Sequence, residues 1–125
     1  MPFEYHIDTD RARIIERFTG DIGLSELMAL FDQVFADPLM QSHFNGLADF
    51  SRASLDVNFT EASDVIQRLR GETRAARGRW AVITTSPADY GTVRMMQQLG
   101  DDITREVAFF RDEETALAWL DDGQA

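Results

Sequence analysis

The apolar residues of this chain change period several times along its length, and this alternation of two spacings narrows the fold more than any other feature. In residues 3–8, Phe3, Tyr5 and Ile7 alternate with Glu4, His6 and Asp8, the pattern of a half-buried strand. Residues 12–18 repeat the signal after the turn-forming Asp8-Thr9-Asp10, so the two pair as a hairpin. The period then lengthens. Leu24, Leu27, Met28, Phe31, Val34 and Phe35 recur at three and four, one face of a helix, with Ser25 able to cap its start and Asp37-Pro38 to stop it.

The pattern repeats three times more. Residues 46–50 predict a third strand and residues 51–59 a polar loop. Thr60 can cap a second helix whose buried stripe is Ala62, Val65, Ile66, Leu69, Thr73 and Ala76, with Gly78 ending it. Residues 79–85 are apolar on both faces, which predicts the most interior strand. Ser86-Pro87 opens a third helix running to about Gly100, and residues 105–110 form a fifth strand. Asp112 caps a last helix in which Ala116, Leu117, Trp119 and Leu120 pack, Trp119 buried, with Gly123 past its end. The order β-β-α-β-α-β-α-β-α predicts an α/β fold with a mixed, mostly parallel five-stranded sheet. Its first strand lies antiparallel at an edge, and right-handed crossovers link the rest.

The 125 residues fit a single domain, 1–125, long enough to bury roughly two-thirds of its unfolded surface without a staple. Cysteine is absent, which removes disulfides, thiol catalysis and cysteine-based metal sites. Twelve basic against 22 acidic residues give a formal charge of −10, a surface that repels nucleic acid and anionic lipid. No apolar run approaches the ~20 residues of a membrane span. The opening Met-Pro-Phe-Glu-Tyr-His has no signal core, so a cytoplasmic location is expected.

Candidate chemistry is sparse. His6 and His43 have no partner at ligand spacing, so no metal or other cofactor is expected. Gly20-Asp21-Ile22-Gly23 matches neither a dinucleotide nor a phosphate loop, and no Gly-x-Ser-x-Gly elbow occurs. All twelve basic residues are arginine. Arg70, Arg74 and Arg77 share one sector of the second helix, either as a solvated flank paired with acids or as a surface for an anion or a protein partner. Tyr90 and Arg94 lie four apart in the third helix, near the carboxyl end of strand 79–85, where α/β sheets commonly hold ligands. Asp49 ends the neighbouring strand. Two arrangements suit these residues: an Asp49–Arg94 ion pair, or a pocket in which Tyr90 and Arg94 receive an anionic head group.

The chain also carries Ala81-Val82-Ile83, Tyr90-Gly91-x-x-Arg94-Met95, and Phe110-Arg111-Asp112-x-Glu114-x-Ala116-Leu117-Ala118-Trp119-Leu120. Gly20 and Leu47-x-Asp49 extend the pattern towards the N-terminus. In these segments it resembles the SpoIIAA-like family, small bacterial STAS-like domains. The resemblance implies a mixed sheet wound with helices, related in fold to anti-sigma-factor antagonists and to CRAL-TRIO lipid-transfer domains. The antagonists carry a phosphorylated serine in an Asp-Ser-Ser-Gly turn. The corresponding stretch here is Asp49-Phe50-Ser51-Arg52-Ala53-Ser54, which lacks that motif and leaves Ser51, Ser54 and Thr60 as candidates by position only. The expected class is a non-enzymatic regulatory or protein-interaction domain. The alternative is a carrier or sensor of a small amphipathic or anionic ligand, supplied with apolar side chains by Phe31, Phe35, Leu39, Met40 and Phe44. An enzyme built on Tyr90, Arg94 and Asp49 ranks third, and homodimerisation through strand edges or apolar helix flanks stays open.

Overall fold

A computed structural model describes residues 2–122. Its strands are β1 (Phe3–Asp8), β2 (Arg13–Ile22), β3 (Asn45–Leu55), β4 (Arg79–Ile83) and β5 (Glu106–Phe110). Its helices are α1 (Leu24–Ala36), α2 (Phe59–Arg70), α3 (Pro87–Leu99) and α4 (Glu113–Asp122). The sheet runs β1-β2-β3-β4-β5, with β1 antiparallel to β2 and every other pair parallel. The mixed α/β architecture expected from the periodicity is therefore the one formed.

Strand parity divides the molecule into two layers. Ile14, Phe18, Ala48, Phe50 and Val82 belong to a large core with α1, α2 and α3. Ile15, Leu47, Ala81 and Ile83 form a smaller one with Ala116 and Leu120 of α4. Salt bridges fasten α4 to its face: Arg13 to Asp121 at 2.7 Å, and Arg17 to Glu113.

Local chemistry departs from expectation at several places. α1 is capped by Gly23 rather than Ser25, the Glu26 carboxylate reaching back to accept from the Gly23 N–H at 2.7 Å. α2 is capped by Asn58 rather than Thr60, in a reciprocal box with Glu61. Residues 51–55 are strand, not loop. Arg52–Leu55 pair with Thr19–Ile22 of β2 beyond the reach of β4, whose pairing with β3 ends at Asp49 and Ile83, so backbone hydrogen bonds hold polar residues there without two-sided burial. A register shift between Arg17 and Thr19 accommodates the extension.

α2 ends at Arg70 with Gly71 as its C-cap, about two turns before Gly78. Arg77 closes this end, its guanidinium donating to the carbonyls of Leu69 (3.2 Å) and Glu72 (2.9 Å). β4 is the fourth strand, not the most interior, and ends at Ile83. It is apolar on both sides because helices cover both faces of the sheet there. Trp119 is half-buried rather than buried. Its ring packs on Phe110 and lies 3.7 Å beneath the Arg79 guanidinium. Ser86 and Asp112 do cap α3 and α4. Gly123 lies outside the described residues.

Candidate functional site

Tyr90, Arg94 and Asp49 do not converge. Asp49 shares the parity of Leu47 and so belongs to the α4 face, whereas α3 packs on the opposite face. The sheet thus stands between Asp49 and Arg94, and no ion pair joins them. The Asp49 carboxylate accepts from the Ser51 N–H at 2.9 Å. Arg94 donates to Gln97 Oε1 at 2.6 Å. Tyr90 is exposed, with its ring 4.8 Å from that of Phe109, on a cleft of about 660 Å³ that includes Thr84, Arg111 and Asp112. Arg94 is not among the residues lining that cleft. Asp49 lines a separate charged groove with Arg17, Arg52 and Arg111.

The three arginines expected on one helix flank are also dispersed. Only Arg70 lies in α2. It pairs with Asp102 at 2.6 Å, and its hydrogen bond holds that carboxyl below the usual carboxylate range. Arg74 donates to the Asp37 carbonyl at 3.3 Å, and Arg77 to the end of α2 as described. Each is occupied by the protein's own acceptors. His6 and His43 are both exposed. Among the described residues no group of three His, Asp or Glu side chains is placed to hold a metal ion.

A different site lies inside the larger layer. Between the sheet and α1–α3 is an apolar cavity of about 190 Å³. Its walls include Phe31 and Phe35 of α1, Ile66 of α2, Trp80 of β4, Met96 of α3 and Val107 of β5. The two phenylalanines stack at 5.5 Å, and Arg68, paired with Asp32, sits outside over the Phe35 ring. Trp80 fixes its indole by donating to the Ala76 carbonyl at 2.8 Å. Its ring lies across Gly46, where any Cβ would collide with it. The apolar supply noted in the sequence is partly used here: Phe31, Phe35 and Met40 line the cavity, Phe44 is core, and Leu39 is exposed.

Glu16 opens into this space. It occupies the middle of β2 between Ile14 and Phe18 on the three-helix side, opposite Tyr5 and Ala48 of the flanking strands. Only 7% of the residue is exposed. A glutamate so deeply placed normally has a cation or several donors beside it. Glu16 has neither among the described residues, and burial alone pushes its carboxyl up to about 8. No side-chain oxygen or nitrogen among the described residues is sealed off without a partner, so this carboxyl keeps its access through the cavity. The other polar lining residues are Gln97 and Thr104. A strand covered on both faces should not carry a charge at the parity of Ile14 and Phe18. The alternation in residues 12–18 gives Glu16 this parity, but it does not tell that helices cover this face.

No protein-family model matches the sequence, and no curated protein matches it. Solved structures do. A DUF3478 protein of Shewanella loihica PV-4, described as having a SpoIIAA-like fold, superposes with a TM-score of 0.60 at 16% identity, over 94% of this chain and 91% of its own. The fold is SpoIIAA-like. The anti-sigma factor antagonist SpoIIAA in its unphosphorylated form matches with a TM-score of 0.55 at 18% identity, covering 97% of this chain and 98% of that one. The SpoIIAA-like fold thus spans nearly the whole chain. No helix among the described residues is long and apolar enough to cross a membrane.

Proposed function

We propose that this SpoIIAA-like chain is a non-enzymatic regulatory module whose state is set by a small, mostly apolar molecule held beside Glu16. One observation carries the proposal: a buried carboxyl, with no partner among the described residues, borders an apolar cavity. Ligand sites commonly combine apolar walls with one or two polar groups that orient the occupant. A cavity of about 150 Å³ takes a benzene molecule, so 190 Å³ suits a ring with a short side chain. Likeness to an anti-sigma factor antagonist supports a protein partner as the output, with the ligand as input.

Native mass spectrometry of protein purified without added ligand tests this. We expect an added small mass on the wild-type chain, lost when Val107→Phe fills the cavity. A wild-type protein that carries no small molecule, and that also fails to bind any apolar probe in solution, would refute the assignment.

A further inference from the structure

The geometry points to a hydrophobic amine as the occupant, its ammonium group held by the carboxylate of Glu16 and its hydrocarbon body by the aromatic walls. This rests on the cavity being a ligand site and adds the chemical class. Glu16 is the only titratable side chain among the described residues that line the cavity. The described residues supply it with no cation. Arg68 is engaged outside by Asp32 and the Phe35 ring, Arg70 by Asp102, and Arg94 by Gln97. Tyr5, the cross-strand neighbour from β1, commits its hydroxyl to Asp37 at 3.0 Å. Burial, and then that bond, raise the tyrosine further above its ordinary value, so it does not titrate near neutrality.

The walls complete the recognition. Phe31, Phe35 and Trp80 present rings around one carboxylate. Aromatic faces attract alkylammonium ions, and the attraction strengthens where water is excluded. The chain's charge of −10 draws cations towards it and repels anionic ligands. A carboxylate ligand would oppose ionisation of Glu16 and a neutral one would leave it as the acid, so only an ammonium ion offers the ionised carboxylate a buried counter-charge.

The proton balance follows. Near neutral pH the empty site holds Glu16 as the neutral acid, while a free alkylamine is already an ammonium ion. Pairing them sends the Glu16 proton to solvent and forms no covalent bond. Amine affinity therefore rises about tenfold per pH unit below about 8 and levels off above it. A neutral acceptor bound to the protonated acid shows the opposite slope.

Titration calorimetry with 2-phenylethylamine, 2-phenylethanol and 3-phenylpropionate, in two buffers of different ionisation enthalpy, separates these cases. We expect the amine to bind tightest, to release close to one proton at pH 6.5, and to lose tenfold or more in affinity in Glu16→Gln. The alcohol should bind wild type and Glu16→Gln about equally. If the alcohol or the acid binds as well as the amine, or amine affinity does not rise with pH, the amine assignment is overturned and the cavity remains a ligand site. If none of the three binds but the purified protein carries another molecule, the chemical class alone falls. If none binds and none is carried, both proposals fall.

Discussion

Glu16 is held at a cost to the fold. Its carboxyl binds a proton more tightly in the folded chain, near 8, than at its ordinary value of 4.5. Its contribution is therefore fully favourable below pH 4.5 and is lost as pH rises through about 8. Glu16→Gln cannot ionise. Its stability advantage over wild type should grow from near zero at pH 4 to about 3–5 kcal/mol by pH 9. Denaturant midpoints of the two proteins across this range would check it, and an advantage that shrinks with rising pH would contradict the burial described here. Such a penalty is tolerated at binding sites more often than elsewhere. The strand carrying Glu16 was readable from the sequence, but the importance of the residue was not. Its significance depends on the second face of the sheet being covered, which alternation within one strand does not reveal.

Among the elements, helix ends were harder to read than helix bodies. The second helix shows why. Thr73 and Ala76 continue the three-and-four spacing past Leu69, yet α2 ends at Arg70 and Arg77 folds back onto the carbonyls of Leu69 and Glu72. A spacing pattern cannot distinguish a helical turn from a buried loop such as Ala75-Ala76. Arg77→Ala removes two charge-assisted hydrogen bonds and should destabilise the chain by about 1–3 kcal/mol in chemical denaturation, with Arg77→Lys intermediate. Gly46→Ala forces the Trp80 indole to move, because its ring occupies the place of the new methyl. The expected result is a loss of about 1–3 kcal/mol and a shifted tryptophan emission spectrum. At α4, Trp119→Ala should cost about 2–3 kcal/mol, below the value for a fully buried ring, because the indole is half-exposed and packs on Phe110 and Arg79.

In the whole molecule, element order and strand direction were legible because a change of apolar period marks each crossover, and short connections leave little freedom in how neighbours pair. The meeting of side chains from distant segments was not. Asp49 and Arg94 sit on elements that pack in the same part of the molecule, yet the sheet separates them, while Glu16, Phe31, Trp80 and Met96 come together from four elements. The two layers also differ in how firmly they are closed. Ion pairs fasten α4 to its face, whereas the three-helix side keeps an apolar pocket of about 190 Å³ that opens to solvent. Apolar hollows of this size take up a xenon atom without any polar contact. Xenon dissolved in the sample should therefore shift the methyl NMR signals of Ile66, Met96 and Val107, which line the pocket, and leave those of the α4 layer unmoved. Val107→Phe, by filling the pocket, should abolish the shifts at Ile66 and Met96.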